Sequence, residues 1–159
     1  MSNSIVLLNQ SVADELHAVH QYMYFHFHLA DQGYGLLAQL FKKTAIVEMG
    51  HVETLAERIL FLKGEVEMQV SLPVEKIADP AAMLAQAVEM EQASARAYNL
   101  AAQQSGAEAD AASKAVFERL VRDEEGHQDQ FEKQLDNIKR FGPAYLALQS
   151  FGVQAPARE

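Results

Sequence analysis

One constellation of residues occurs twice in this chain at a single spacing, and it constrains the fold more than any other feature. Glu15, Tyr22, Glu48 and His51 recur 76 residues later as Glu91, Tyr98, Glu124 and His127, so each half reads E-x6-Y-x25-E-x2-H. Residues three or four apart share a face of an α-helix, so Glu48 with His51 and Glu124 with His127 each project an oxygen and a nitrogen from one side. Tyr22 lies seven residues beyond Glu15, two turns up the same face. Metal-ligand types of this kind do not recur through apolar patterning alone. One lone Glu and one Glu-x-x-His per half converge only if four helices face inward, the arrangement with which helical bundles hold a pair of divalent metal ions.

Apolar periodicity supplies those four helices and no convincing strand. From about residue 4 to 30 the stripe Leu8, Val12, Glu15, Val19, Tyr22, His26 and Leu29 steps by three and four. Asp31-Gln32-Gly33-Tyr34-Gly35 breaks it, and so short a loop makes the next helix antiparallel. The second segment, about 36 to 63, carries Phe41, Thr44, Glu48, His51, Leu55, Ile59 and Leu62, with Gly64 expected to end it. Asp79 as N-cap and Pro80 at the first helical position open the third, whose stripe is Leu84, Ala87, Glu91, Ala95, Tyr98 and Ala102, with Ser105-Gly106 expected to close it. The fourth runs from about 110 to 140 through Phe117, Leu120, Glu124, His127, Phe131, Gln134 and Ile138.

Gly64 to Asp79 is a stretch of 16 residues without helical period. At ~3.3 Å per residue it reaches about 50 Å, and a 28-residue helix is about 42 Å long. The link can therefore cross the whole bundle, which makes the second and third helices parallel. The expected architecture is an all-α four-helix bundle with one long crossover between helices two and three and a short C-terminal fifth helix. We expect a single domain over 1–159, with the bundle at about 4–140, the fifth helix at about 143–151 and a tail at 152–159.

Each stripe is apolar except where a candidate ligand interrupts it near mid-helix. An ionised carboxylate in a water-poor core loses solvation worth several kcal/mol unless it is paired, protonated or metal-bound. Four facing each other also repel. No Lys or Arg lies on the stripes, whereas two divalent cations would balance four carboxylates.

Composition removes other classes. The net charge of −9, from 22 acidic and 13 basic residues, repels phosphate backbones and attracts cations, so nucleic acid is not an expected partner. No apolar run approaches the ~18 to 20 residues that cross a bilayer, and residues 1–10 lack the basic flank of a secretory signal. Zero cysteines exclude disulfides and thiolate metal sites and suit a reducing compartment, with the cytoplasm as the expected location.

Several runs resemble bacterioferritin, a member of the ferritin-like superfamily. They are Glu48-Met49-Gly50-His51, Arg58-Ile59-Leu60-Phe61-Leu62-Lys63-Gly64, Arg122-Asp123-Glu124-Glu125-Gly126-His127, Gln21-Tyr22 with the earlier Glu15, and Phe141-Gly142-Pro143-Ala144-Tyr145-Leu146. The resemblance implies that Glu15 and His51 are terminal ligands of one iron, Glu91 and His127 of the other, and that Glu48 and Glu124 bridge both. It implies iron storage and detoxification by a ferroxidase that oxidises Fe2+ with dioxygen or hydrogen peroxide and deposits mineral in a hollow homo-oligomeric shell. Tyr22 would bond a ligand carboxylate or give an electron, and a ferredoxin-type reductant would release the iron. Met49 matches the methionine that ligates haem across a two-fold subunit interface in this family. It sits ~100° of helical turn from Glu48 and so points away from the paired metal site; packing on a neighbouring subunit is the plainer role.

Departures and rivals are also legible. Where some bacterioferritins have a His and an Asp as an inner-surface iron site, this chain has Lys43 and Val47, so that site is not carried over. The Pro143–Phe151 segment resembles the fifth helix of 24-subunit shells, which we expect here over a 12-subunit one. The alternative is a dodecameric, Dps-like protein that uses hydrogen peroxide for oxidative-stress protection; some twelve-subunit relatives keep such a centre within each chain, and several of those carry a cysteine pair that this chain lacks. A DNA-protecting mini-ferritin would instead build its iron site between subunits, whereas here the ligand set is complete in one chain. Di-iron oxidases are usually much longer, and rubrerythrin-like peroxidases carry a cysteine-bound iron domain. His17, His20, His26 and His28 crowd the first helix, of which only His26 falls on the inner stripe. Ordinary hydrogen-bonded or exposed roles are expected for all four.

Overall fold

The computed structural model describes residues 3–151, so the expected tail at 152–159 lies outside the described residues. Four long helices follow in chain order: α1 (Asn3–Asp31), α2 (Gly35–Phe61), α3 (Pro80–Ala107) and α4 (Ala111–Phe141). A short α5 (Pro143–Leu148) and a closing 3₁₀ turn (Gln149–Phe151) complete them, where the sequence suggested one helix over 143–151. No strand occurs among the described residues.

The crossover between α2 and α3 writes the topology in hydrogen bonds. The Asn9 amide donates to the Glu65 carbonyl at 2.9 Å, the Ser71 N–H to Ala13 at 3.1 Å, the His17 ring to Leu72 at 3.0 Å, and the Gln32 amide to Ala78 at 2.9 Å. Gln21 meets Glu75 twice, donating to its carbonyl at 3.0 Å and accepting from its N–H at 2.7 Å. The link thus runs up α1 from beginning to end. It delivers α3 to the far end of the bundle, parallel to α2 and antiparallel to α1, as its length allowed. Because the link carries no internal ladder, these side chains of α1 satisfy backbone groups that water would otherwise have to reach.

Two of the expected helix stops are corrected. Gly33 (φ 86) does end α1, with its own N–H and that of Tyr34 returned to Ala30 and Leu29. The same double bond pattern ends α2, but the left-handed residue is Lys63 (φ 63); Gly64 follows it and donates to Ile59 at 2.9 Å. Gly64 is small for another reason, since a Cβ there would stand 2.9 Å from Cγ2 of Ile5. The third helix runs through Gly106 to Ala107 and turns at Ala109 (φ 61). A glycine in a helix costs only about 1 kcal/mol, which the packing of α3 against α4 and α1 outweighs.

The core comes in two parts. One cluster holds Leu8, Val12, Leu55, Ile59, Phe117 and Leu120; the other holds Phe25, Phe41, Leu84 and Phe131, with Leu29 and Met83. Along every helix the repeated Glu and His positions fall between the two, so apolar packing at both ends of the bundle holds a polar middle in place.

Asp110 fastens the end of α2 to the start of α4. Its carboxylate caps α4 by accepting from the Ser113 N–H at 3.0 Å and takes the Arg58 guanidinium at 2.7 Å. Hydrogen bonds from the Ser113 hydroxyl and N–H outweigh the upward push of burial and bring its carboxyl to about 2, below the ordinary 3.8. A carboxyl lowered on folding stabilises above its unfolded value, and that gain disappears as pH falls through the folded one. Asp110→Ala should lower unfolding stability at neutral pH by about 1–2 kcal/mol. In chemical denaturation the gap between variant and parent should close as pH is lowered from 3.8 to about 2.

Candidate metal centre

Four helices deliver six ligand-type side chains to one place. Glu15 comes from α1, Glu48 and His51 from α2, Glu91 from α3, and Glu124 and His127 from α4. Glu48 is fully buried, and Glu15, Glu91 and Glu124 are exposed by 2% or less. The helices cross this place as antiparallel pairs. Residue 15 of α1 meets 98 of α3, and 22 meets 91; on α2 and α4, 48 meets 127 and 51 meets 124. That exchange of numbers is an approximate two-fold axis through the middle of the bundle.

Ligand atoms fall into two groups of four. Glu15, Glu48, His51 and Glu124 each offer one atom within 4.8 Å of the others, and so do Glu48, Glu91, Glu124 and His127. Glu48 and Glu124 belong to both. Nδ1 of His51 lies 3.2 Å from Oε1 of Glu15, 2.8 Å from Oε2 of Glu48 and 3.0 Å from Oε1 of Glu124. A ring nitrogen carries at most one hydrogen, so it cannot satisfy three oxygens. Oε2 of Glu48, Oε1 of Glu124 and Oε2 of Glu91 are buried without a hydrogen-bond partner. Hard oxygen donors with one imidazole per group fit divalent iron or manganese.

The electrostatics agree with that donor chemistry. Burial first, then the Glu15 charge, pushes Glu48 and Glu124 well above the ordinary carboxylate range. Glu91 ends below its ordinary value, because hydrogen bonding with Glu124 and His127 and the His127 charge outweigh burial. Burial pushes the His51 and His127 rings down, but hydrogen bonds to the surrounding carboxylates prevail and raise both. In the metal-free protein, protons thus occupy the place suited to cations. No Lys or Arg pairs with these carboxylates among the described residues.

Both repeated tyrosines join the centre, one more than Tyr22 alone. The Tyr22 hydroxyl donates to Oε1 of Glu91 at 2.6 Å, and the Tyr98 hydroxyl donates to Glu15. Burial holds both phenols well above their ordinary value, so they stay neutral donors. Each grips one carboxylate from across the bundle, and in Glu91 it leaves the second oxygen facing the cluster. Tyr98 was visible in the repeat. A further residue, Asp123, meets Nε2 of His51 at 3.0 Å, and no periodicity marks it.

Other expected positions stand apart. Met49 lies on the exposed side of α2, 38% accessible, one turn after the exposed Ile46. His26 is half-buried with its ring donating to the Ala38 carbonyl at 2.7 Å, while His20 and His28 are exposed. None of the four α1 histidines joins the six.

A family model described as the ferritin-like domain matches residues 5–141. A bacterioferritin of Desulfovibrio desulfuricans is 36% identical over 143 residues, 90% of this chain and 80% of its own. One from Rhodobacter capsulatus is 35% identical over 145 residues, 91% of this chain and 89% of its own. The X-ray structure of the Desulfovibrio protein, whose diiron site is described in different catalytic states, superposes with a TM-score of 0.90 at 34% identity, covering 98% of this chain and 94% of that one. The Rhodobacter structure, with a metal-free dinuclear site and a heme iron in a crystallographic special position, gives 0.92 at 31% identity over 99% and 98%.

Because Glu124 is raised on folding, its ionisation opposes folding increasingly as pH climbs above 4.5. Metal-free Glu124→Gln should therefore melt a few degrees above the parent at neutral pH, about 1 kcal/mol for a chain of this size. The advantage should fade toward pH 4.5, as thermal unfolding in chelator would record.

Proposed function

This chain belongs to the ferritin-like family, among the bacterioferritins, and from that premise we propose that it binds Fe2+ as substrate at the paired centre, oxidises it and stores the product. The observation that supports this reading most is the pair of four-membered ligand groups sharing Glu48 and Glu124. In it Glu15 and His51 hold one ion, Glu91 and His127 the other, and Glu48 and Glu124 bridge them. Two divalent cations offset the four carboxylates whose mutual repulsion the fold otherwise bears.

The chain's own residues bind, orient and shed protons. Cations displace the protons that the raised Glu48, Glu124, His51 and His127 carry in their absence, so uptake releases protons. Tyr22 and Tyr98 hold Glu91 and Glu15 in register through neutral hydroxyls. Two bound Fe2+ yield two electrons, which with two protons convert dioxygen to hydrogen peroxide, or hydrogen peroxide to two waters. Either oxidant suits a centre of this kind.

The remaining parts of the reading concern the assembly. The chain acts as one domain, and α5 favours a 24-subunit shell over a 12-subunit one. Met49 is an exposed thioether beside an apolar strip, a donor suited to haem iron where a second copy supplies its own Met49. A ferredoxin-type reductant would return electrons to stored iron. No described helix is long and apolar enough to cross a membrane, and a chain without cysteine suits the cytoplasm.

Anaerobic titration should show two Fe2+ bound per chain, followed by rapid oxidation when oxidant is added. Glu91→Ala or His127→Ala should slow that phase by more than the ~10–100-fold that loss of an outer partner costs, with helical content unchanged. Unaltered initial kinetics in both variants would falsify the ligand assignment. Light scattering should give a 24-subunit mass, and any Soret absorbance of the purified protein should be lost in Met49→Leu.

A further inference from the structure

We propose that the two metal positions are chemically unequal because only one of their histidines is backed by a carboxylate, with Asp123 as a positioning residue for His51. The inference rests on the reading of the six side chains as ligands.

Both imidazoles present Nδ1 to the centre. Nδ1 of His51 faces Glu15, Glu48 and Glu124, and Nδ1 of His127 lies 2.9 Å from Glu48 and 3.6 Å from Glu91. Their Nε2 atoms differ. That of His51 donates to Oδ2 of Asp123 at 3.0 Å, whereas Nε2 of His127 has no side-chain partner among the described residues. The internal repeat explains why. The approximate two-fold that carries His127 onto His51 carries Asp123 onto the residue 76 places earlier, which is Val47. An isopropyl group accepts no hydrogen bond.

An acceptor on the far nitrogen has three effects. It fixes the tautomer so that Nδ1 offers its lone pair, it locks the ring plane, and as a carboxylate it makes the imidazole a better electron donor. His51 receives all three, and its side chain is only 5% exposed. His127, at 12% exposed, borders an open cavity of about 460 Å³ lined also by Lys43, Thr44, Val47 and Lys133. No side chain there accepts from its Nε2, and Lys43 places positive charge on that side, Lys133 being paired with Asp129 at 2.6 Å. The ion held by Glu15 and His51 is therefore the tightly kept one, and the ion held by Glu91 and His127 is the exchangeable one.

Titration of the full-length metal-free protein with Co2+, followed by calorimetry and by visible absorption, tests this. The parent should bind two Co2+ in distinguishable steps. Asp123→Leu should weaken one step by about 10–100-fold and change its absorption, leaving the other in place; Asp123→Asn, whose amide oxygen still accepts from Nε2, should recover much of the loss. Val47→Asp should tighten the weaker step. In a His51→Ala background Asp123→Leu should have no further effect, which a general loss of structure would not produce. Equal weakening of both steps by Asp123→Leu, or no change in either, overturns the proposal while leaving the metal centre standing. Failure of the parent to bind Co2+ at all overturns the centre and the proposal together.

Discussion

Four carboxylates buried in the middle of an apolar bundle are the constraint around which the molecule is arranged. Ionised together they repel, and burial makes each charge costlier still. Much of the surrounding structure reads as containment of that strain. Two apolar clusters brace the bundle on either side of the centre, and two cross-bundle tyrosines tether the carboxylates nearest them. No lysine or arginine among the described residues neutralises them. A protein selected only to fold would place leucines at these positions. The retained strain is the means of cation uptake, since protons leave and divalent ions enter at little further cost.

Antiparallel packing makes one pair of ligand motifs into a pair of sites. With α1 facing α3 and α2 facing α4 in opposite directions, a residue early in one half meets a residue late in the other. Glu48 and Glu124 then belong to both groups. That geometry depends on the crossover, and the crossover depends on short polar contacts from Asn9, Gln21 and Gln32, with the His17 ring, which accommodate a long irregular segment against one helix. A site in the core is thus secured partly by hydrogen bonds along the outer length of α1, two of them from the buried Gln21 and His17.

Much of this was legible in the chain. The stripes placed Phe41, Leu55, Leu84, Phe117 and Phe131 in the core, and each is fully or almost fully buried. The repeat picked out the six side chains that converge. Glycines misled, because local punctuation competes with tertiary packing: Gly106 sits inside α3, and Gly64 gives way to Ile5 while Lys63 makes the turn. The repeat marks Tyr98 as the counterpart of Tyr22, and the two hydroxyls act alike. Asp123 had no such signal, since its counterpart is Val47 and its value depends on where His51 points.

The sequence alone determined the number of helices, the faces they bury, the long connection and the ligand types, because helical periodicity and the reach of an extended chain are local properties. Only the tertiary structure decided which carboxylate faces which imidazole, which tyrosine crosses to which glutamate, and that one histidine is backed while the other is not. Those are relations between side chains 36 to 83 residues apart. Distances across a bundle depend on how helices cross and rotate against one another, and no spacing along a single chain encodes that directly.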